Sequence, residues 1–439
     1  MRRLVVGLGN IGIFLLSAQA QASGFQLFEQ DVTSVANYHA GYAALADNAS
    51  IAFYNPAGMT EIKNQQAVLS VLAVAPSVKY RGTVRVNTIG GGLTPVQVTA
   101  QGGQLATIPE FHYVAPLGNN MYAGLSVGVP FGLKTNYGKT TFLRYAATVS
   151  SVNVVDITPA LGFDVSENAS LGFGLDIQRM HAEFDQVATQ GGPDLDSDGL
   201  DRGDDTAYGF NVGGLYRFSP NTRLGASFHS QVVHHLSGTS VVSGPLADIL
   251  AKEGIPIPDS KRATTQITLP PYTAVSLYHR INPAFAVMGS VIYTQWSTIN
   301  EFVLKNVAGL EGGSLEPSNN ITVKIPAHFR NTVNVSVGGD YNATDKMILR
   351  GAVGYDQTPV RNAYRNVQLP DNNRYVIAAG GHYQLVKTVG VDLGWMHLFS
   401  NKAHVIPPTQ VTGAERVNVN GSVRGSADVY GLQVVWDMA

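Results

Sequence analysis

Residues 331–341 read NTVNVSVGGDY, a stretch in which apolar and polar side chains alternate. In an extended strand, successive side chains point to opposite faces. One face of this stretch therefore carries Val333, Val335 and Val337, and the other carries Asn334, Ser336 and Gly338. The same alternation recurs in VDLGWMHLF at 391–399 and in VYGLQVVW at 429–436. This pattern is typical of strands that lie between lipid and the lumen of a transmembrane barrel.

The connections between such stretches alternate in length. Short polar turns lie at 118–120, 166–169, 219–222, 282–284 and 342–345. Long loop-like stretches lie at 81–104, 135–147, 188–206, 238–265, 307–325, 357–373 and 401–419. Bacterial outer-membrane barrels have an even number of strands, short periplasmic turns and long extracellular loops. The sequence therefore predicts an all-β transmembrane barrel of about 14 antiparallel strands in the outer membrane of a Gram-negative cell.

The first residues of the chain have the pattern of a targeting segment. Two arginines precede an apolar core at 4–16, and AQA at 20–22 supplies the small residues that a signal peptidase requires. GLGNIG at 7–12 also matches the dinucleotide fingerprint, but no strand–turn–helix–strand unit follows it. The sequence therefore predicts a signal peptide over 1–22, with cleavage before Ser23.

The composition excludes several classes of protein. The chain has 439 residues, no cysteine and a formal net charge of −2, which becomes more negative once the two arginines of 1–22 are removed. A nucleic-acid-binding protein should instead carry a basic stripe, so no nucleic-acid partner is expected. No apolar run of transmembrane-helix length follows residue 22, which excludes a polytopic inner-membrane protein. No cofactor is expected either.

Residues 23–63 lack the alternation of the rest of the chain. They are rich in alanine and small polar residues and contain the bend Asn55-Pro56-Ala57. They predict short helical turns, and the segment is too long for an ordinary N-terminal tail. We therefore expect 23–63 to be a hatch that plugs the lumen, with the barrel spanning 64–439. A tail in the periplasm is the alternative.

Several blocks of sequence, taken together, resemble one known family. They are SGFQLFEQ at 23–30, ALADNASIAFYNPAGM at 44–59, PEFHYVAPL at 109–117, GDDTAYGFNVGGLYRF at 203–218, VSLYHRINPAFAVMGSVIYTQWS at 275–297 and the stretch 349–385. These blocks look like the long-chain fatty acid transporter family of Gram-negative outer membranes, the FadL-type hydrophobe channels. The resemblance implies a monomeric, hatch-plugged barrel with 14 strands that takes up hydrophobic molecules passively. It also implies that they leave sideways into the outer leaflet, through a gap where the third strand kinks.

The resemblance assigns roles to residues of the hatch and of the third strand. In the family, an aromatic residue near the mature N-terminus lies in the internal ligand pocket, which points to Phe25, with Leu27 and Phe28 beside it. The hatch motif beside the kink corresponds to Asn55, Pro56 and Ala57. The third strand contains Gly124, Gly128 and Pro130. Glycine weakens a strand and proline removes a ladder donor, so a break is expected there. Alternatively, Pro130 only ends the strand at the outer rim.

An anionic ligand needs a positive counter-charge. The candidates are Arg144, in a position that resembles an Arg-Tyr pair of the family, together with Lys324 and Arg330, which flank the tenth strand. The alternative is that these cations are solvated at the rim, where they contact lipopolysaccharide phosphates. The expected partners are thus a hydrophobic ligand, outer-membrane lipid and lipopolysaccharide, and the barrel-assembly machinery. Trp436 is followed by three further residues, so the usual terminal aromatic signal for assembly is displaced.

The substrate class stays open between long-chain fatty acids and monoaromatic hydrocarbons taken up by the same mechanism. A lipid hydrolase is a remote alternative, because 124–128 matches the G-x-S-x-G motif, although Ser126 falls in mid-strand without a following helix. An adhesin would keep the barrel but would need neither Phe25 nor the strand break. An aqueous porin should lack the long plug. No enzyme activity is expected.

DLDSDGLDRGDD at 194–205 begins like a calcium-binding loop. Its spacing assigns Asp194, Asp196, Asp198 and Asp205 as candidate ligands. An aspartate at the last position is shorter than the usual bidentate glutamate, and no flanking helices are expected. The sequence therefore offers a weak calcium site, with a solvated acidic loop as the alternative.

Overall fold

A computed structural model describes residues 24–88, 91–92, 94–189, 192–311, 316–405, 410–412 and 415–438. The predicted signal peptide at 1–22 lies outside the described residues and stays a prediction. Within the described ranges, the helices are too short or too polar to cross a membrane.

The described residues are mostly β-strand. The strands are β1 (Gln65–Thr88), β2 (Gly91–Gly92), β3 (Val96–Gln101), β4 (Ala106–Gly118), β5 (Met121–Asn136), β6 (Val149–Asp164), β7 (Ala169–Ala188), β8 (Ser197–Ser219), β9 (Thr222–His229), β10 (Val232–Ser243), β11 (Ser260–Leu269), β12 (Tyr272–Arg280), β13 (Phe285–Thr294), β14 (Glu301–Leu310), β15 (Pro317–Pro326), β16 (Thr332–Thr344), β17 (Met347–Asp356), β18 (Arg374–Val386), β19 (Val389–Ser400), β20 (Ala403–Val405), β21 (Gln410–Thr412) and β22 (Glu415–Met438). The α-helices are α1 (Val32–Asn37), α2 (Ile51–Tyr54) and α3 (Pro245–Lys252). Turns of 3₁₀-helix lie at Pro56–Glu61, Phe142–Tyr145, Pro193–Leu195, Trp296–Thr298 and Asn362–Tyr364.

These strands close into a single barrel. Several crossings are interrupted, so that β3 and β4, β9 and β10, β11 and β12, β13 and β14, and β15 and β16 each form one crossing. Neighbouring crossings are antiparallel, and β22 pairs with β1 from Gln65↔Met438 to Asn87↔Arg416. The described residues therefore form a closed antiparallel barrel of 14 crossings, which confirms the predicted fold class.

The two faces of the wall follow the predicted alternation. Val337 and Leu432 are 58% and 55% exposed on the outside, whereas Asn334 and Ser336 are buried on the inside. The predicted short turns separate β4 from β5, β6 from β7, β8 from β9, β12 from β13 and β16 from β17. The long connections are shorter than predicted, because strands such as β1 and β22 continue beyond the roughly 9–11 residues that cross a bilayer.

The N-terminal segment, which we define as residues 24–62, fills the lumen. Asp47 is the most exposed residue of the segment, with its side chain 28% exposed, and every other residue of the segment is buried or half-buried. Helix α1 packs against β17, β18, β19 and β22, and the 3₁₀ turn Pro56–Glu61 packs against β6, β7 and β8. Asp31 caps α1 by accepting a hydrogen bond from the Ser34 amide at 2.8 Å. The predicted helical turns thus lie inside the barrel, and the alternative of a tail in the periplasm is wrong.

Candidate functional site

Phe25 lies in an aromatic cluster inside the barrel. Its side chain is 2% exposed, and its ring meets Trp296 edge-on, with ring centroids 4.9 Å apart. The ring of Phe131, on β5, lies 5.9 Å from Phe25. Trp296 lies on the short 3₁₀ turn that interrupts the ninth crossing, between β13 and β14. The kinked third crossing and the interrupted ninth crossing therefore both contact the start of the N-terminal segment.

An apolar pocket adjoins this cluster. Its lining includes Phe25, Leu133, Phe184, Phe302, Phe329 and Leu369. The free volume is about 50 Å³, which is room for only a few water molecules. A larger hydrophobic ligand can therefore enter only if a side chain such as Phe25 moves.

Leu27 and Phe28 do not line this pocket. Both line a second cavity, together with Leu72 and Ile108 of the wall and the charged residues Glu29, Asp356 and Arg374. The ring of Phe28 also packs 5.1 Å from that of His39. The three residues of the N-terminal segment that were predicted to bind ligand are thus divided between two cavities.

The third crossing, β5, is bulged where a break was predicted. Its register against β6 shifts between Gly128 and Phe131. Its pairing with β4 ends at Phe111↔Val127. Because β5 continues to Asn136, the alternative that Pro130 only ends the strand is wrong.

Beyond the point where β5 stops pairing with β4, the free edge of β5 pairs with the N-terminal segment. Gln26 and Phe131 form an antiparallel bridge. The amide of Leu27 donates to the carbonyl of Pro130, and the amide of Gly132 donates to the carbonyl of Phe25, both at 2.8 Å. In this geometry an N–H at residue 130 would face the carbonyl of Leu27. Proline lacks that N–H, so the pairing is one hydrogen bond weaker than it could be.

Gln30 satisfies the remaining backbone groups at the bulge. Its side-chain oxygen accepts from the Val129 amide at 3.0 Å, and its side-chain nitrogen donates to the Val129 carbonyl at 3.1 Å. The same nitrogen donates to the carbonyl of Leu27 at 3.1 Å. A Cβ atom at Gly128 would collide with the Gln30 amide. The glycine is therefore required for this contact, whereas nothing in the local sequence singled out Gln30.

A gap in the wall lies beside this bulge. Residues 106–110 of β4 pair with β1 but, within the described residues, not with β5. The wall rejoins above the gap, where the amide of Asn136 donates to the carbonyl of Gly102 at 2.9 Å. Leu27, Ile108 and Val129 belong to one buried apolar cluster at this opening. The β4–β5 ladder is thus interrupted here, and the N-terminal segment covers the interruption from inside.

A methyl group at Gly128 should loosen this cover. We expect Gly128→Ala to displace the Gln30 amide and to leave buried backbone groups unpaired, at about 1–3 kcal/mol for each group. The N-terminal segment of the purified variant should therefore be cleaved faster in limited proteolysis. Gly351→Ala is the matched control, because a Cβ there meets only the Ala378 carbonyl, at 3.7 Å. Equal cleavage of the two variants would contradict this role of Gly128.

The motif Asn55-Pro56-Ala57 lies away from the kink, contrary to prediction. Asn55 donates to the carbonyls of Ala43 at 2.7 Å and Gly214 at 3.1 Å, and its side chain accepts from the Ala57 amide at 3.1 Å. Pro56 and Ala57 pack over Gly172 of β7. The motif anchors the segment to β7 and β8. Gly124, also predicted at the gate, instead packs under Met59 of the segment.

Arg144 already has an anionic partner within the protein. Its Nε atom lies 2.7 Å from Oδ2 of Asp196, and its guanidinium lies 4.4 Å from the ring centroid of Tyr145. Tyr145 donates to the other oxygen of Asp196 at 2.8 Å. Burial raises the pKa of the Tyr145 phenol above its ordinary value, which keeps this donor protonated. Arg144 is thus held in a neutralised pair.

The other two candidate cations lie elsewhere. Lys324 is exposed on β15, and Nε of Arg330 donates to the carbonyl of Thr358 at 3.0 Å. Lys324, Arg330 and Arg144 are all absent from the lining of the Phe25 pocket. The structure therefore does not bring the three predicted cations together around Phe25.

The predicted calcium loop is not formed, which corrects that reading. Asp198 and Asp205 lie on the extended strand β8, where seven residues span about 23 Å. Asp198 pairs with Lys139 at 2.6 Å, and Asp205 lies 3.2 Å from His234. Asp194 lies on the 3₁₀ turn before β8, and Asp196 is engaged by Arg144. The described residues contain no group of three or more metal-binding side chains that could hold an ion.

Ser126, the serine of the G-x-S-x-G match, lies in the middle of β5 and is 1% exposed. Its hydroxyl oxygen lies 3.0 Å from Nδ1 of His112, and Nε2 of that histidine lies 2.6 Å from the Gln30 carbonyl. The strand continues on both sides of the serine. It therefore lacks the strand-to-helix turn that exposes a nucleophile.

Comparisons with known proteins agree with the fold. Residues 13–437 match the family described as outer membrane protein transport protein (OMPP1/FadL/TodX). Outer membrane protein P1 of Haemophilus influenzae is 26% identical, over 99% of both chains. The long-chain fatty acid transport protein of Salmonella typhi is 25% identical, over 88% of this chain and 90% of that protein.

Solved structures show the same fold. The crystal structure of a Pseudomonas aeruginosa FadL homologue is similar with a TM-score of 0.81 and 26% identity, over 95% of this chain and 100% of that chain. The Ralstonia pickettii toluene transporter TbuX has a TM-score of 0.65 at 16% identity, over 94% of this chain and 100% of that chain. At that identity, the likeness to TbuX shows the fold alone.

Proposed function

Because the chain belongs to the OMPP1/FadL/TodX family of outer-membrane transport proteins, we propose that it takes up long-chain fatty acids and releases them sideways through the gap beside β5. The protein is an outer-membrane transporter of hydrophobic molecules, and members of its family are transporters rather than enzymes. The proposal rests on one observation. Phe25 lines the apolar pocket, and the backbone of Phe25 and Leu27 covers the bulge of β5.

Ligand binding and opening of the gap are coupled through this short stretch. A ligand that enters the pocket displaces the Phe25 ring, because the free volume is too small for both. Movement of Phe25 breaks its hydrogen bond with Gly132 and withdraws Leu27 from Pro130. The gap then connects the lumen with lipid. Transfer of an apolar chain from water into lipid is favourable by about 0.8 kcal/mol per CH₂ group, so no energy source is needed.

A monoaromatic hydrocarbon is the second candidate substrate. The pocket beside Phe25 is lined by apolar and uncharged polar residues, and Arg144 is neutralised by Asp196. A neutral ligand would suit such a pocket without a counter-charge. Proteins named toluene transporters are among those that share the fold. We further propose that the protein acts as a monomer and that lipopolysaccharide surrounds it in the outer membrane.

The native tryptophans allow a direct test. The chain has three tryptophans, and Trp296 touches Phe25, whereas Trp436 is 51% exposed on the outside of the barrel. In a Trp395→Phe, Trp436→Phe variant, we expect oleate to change the emission of Trp296 in a saturable way. Phe25→Ala should weaken this response, and Phe28→Ala, in the other cavity, is the matched control. A response to toluene alone would move the substrate to hydrocarbons, and no response to either ligand would contradict the proposed pocket.

A further inference from the structure

The barrel wall is interrupted a second time, between the eighth and ninth crossings. Strands β11 and β14 share only two residue pairs, Thr264↔Lys305 and Thr265↔Leu304. Pairing resumes at Tyr272↔Thr294, between β12 and β13. Within the described residues, no ladder joins 266–270 to 296–303. The ladder is missing because neither side continues as a strand here. Pro270 and Pro271 interrupt the eighth crossing, and the 3₁₀ turn of Trp296 interrupts the ninth.

A cavity of about 690 Å³ occupies this interruption. Its lining includes adjacent residues whose side chains point to opposite faces of the wall. His235 and Gln266 are exposed on the outside, whereas Leu236 and Ile267 are each 1% exposed on the inside. The cavity is therefore lined by residues of both faces of the wall.

The inner end of this cavity is continuous with the cluster around Phe25. Leu236, Ile267 and Ile299 line the cavity and belong to the same buried apolar cluster as Phe25 and Trp296. Phe302 lines both the cavity and the Phe25 pocket. Buried apolar side chains therefore extend from the cavity to the pocket beside Phe25.

The outer end is polar and carries two cations. Lys305 and Lys324 line it, and neither forms an ion pair with any described residue. Glu301 and His235 are the other titratable groups of the lining. Below the opening, the outside of the ninth crossing carries the apolar residues Val291 and Tyr293, whereas Ser297 and Asn300 are exposed at its level. The opening therefore lies just beyond the apolar belt, at the level of lipid head groups.

We propose that this opening is an entrance for single-chain anionic amphiphiles, of which a fatty carboxylate is the type. The carboxylate binds at Lys305 and Lys324, and the acyl chain passes over Leu236 and Ile267 toward Phe25. This inference rests on the proposed function but assigns the entrance to the side of the barrel rather than to its open end. It also gives Lys324, predicted as a ligand-binding cation, a position at the entrance.

Because the chain has no cysteine, single cysteines allow the opening to be blocked selectively. We expect Gln266→Cys, labelled with a bulky maleimide–polyethylene glycol, to lose most uptake of labelled oleate in cells. Gln231→Cys is the matched control. It is also an exposed glutamine, it lies level with Pro270 on the neighbouring crossing, and it does not line the cavity. Equal uptake by the two labelled variants would overturn the proposal.

The second measurement tests the head-group site on the purified protein. We expect Lys305→Gln, Lys324→Gln to weaken oleate binding by about tenfold and to leave binding of methyl oleate unchanged. Loss of co-purified lipopolysaccharide with unchanged oleate binding would overturn the proposal and identify the lysines as a lipopolysaccharide contact. If the unlabelled wild-type protein takes up no oleate at all, the proposed function fails. If the wild-type protein takes up oleate but labelled Gln266→Cys takes up as much as its labelled control, only the proposed entrance fails.

Discussion

Uptake should stop when a disulfide joins residues 26 and 131, and it should return when that disulfide is reduced. Among the described residues, Gln26 and Phe131 form the one isolated bridge between the N-terminal segment and the edge of β5 that β4 leaves unpaired. The hydrogen bonds on either side of the bridge make it a non-hydrogen-bonded antiparallel pair, whose Cα atoms lie about 4.5 Å apart. That spacing is within the range of disulfides. In the double variant Gln26→Cys, Phe131→Cys, the disulfide therefore fixes the N-terminal segment to β5, so that the segment continues to cover the gap.

The measurement is uptake of labelled oleate by cells with and without a reductant that reaches the outer membrane. Uptake by the oxidised variant should fall to that of cells lacking the protein, and the reductant should restore it to the level of the single-cysteine variants. Each single variant controls for the loss of the Gln26 or Phe131 side chain, and the chain contributes no other thiol. Full uptake by the oxidised protein would show that the ligand leaves without moving the N-terminal segment.

The sequence was sufficient for the topology of the barrel but not for the lengths of its strands. Alternation in stretches such as 331–341, together with the short turns, predicted the number of crossings. The extension of β1 through KYRGTVRVNT at 79–88 was missed, because its outward face beyond the membrane is polar, with Lys79, Arg81 and Arg85 exposed, whereas Tyr80, Val84 and Val86 are buried on the inner face. These residues are in strand because β22 pairs with them. The second interruption of the wall was also missed, because no strand break was predicted at Pro270 and Pro271.

The candidate site was predicted only where a local pattern marked it. Gly128 and Pro130 were found because their residue types disfavour a regular strand, and Phe25 was found by resemblance. Trp296 and Gln30 were not found, because their roles depend on contacts between distant parts of the chain. Gln30 meets Val129, and Trp296 meets Phe25, only after the barrel has closed around the segment. Asn55-Pro56-Ala57 was assigned to the wrong neighbours for the same reason.

Replacing Arg350 should release the N-terminal segment and turn the closed barrel into an ion-conducting pore. Arg350 is 7% exposed on β17, and its guanidinium joins the segment to the wall. It lies 2.6 Å from Asp47 and 3.0 Å from the Thr33 hydroxyl, both in the segment. The same group lies 2.9 Å from Asp392 on β19. No other described residue bridges these two carboxylates.

Arg350→Met leaves these carboxylates, and that of Asp340 at 3.7 Å, without their shared cation. Breaking such a buried pair costs about 3–5 kcal/mol. The hydrogen-bonded strands of the barrel are unchanged, so this free-energy cost destabilises the binding of the N-terminal segment inside the barrel. We therefore expect a large rise in single-channel conductance in planar bilayers. Arg179→Met is the matched control, because that arginine is 58% exposed in a surface pair with Asp204 and should contribute at most about 1 kcal/mol. Adding Asp47→Asn, Asp340→Asn and Asp392→Asn to Arg350→Met should restore the closed state by removing the three carboxylate charges that Arg350 neutralises. A closed Arg350→Met barrel would mean that other contacts hold the segment without it, among them Asn55, the bridge at Gln26 and the ion pairs of Glu61 with Arg217 and Arg223.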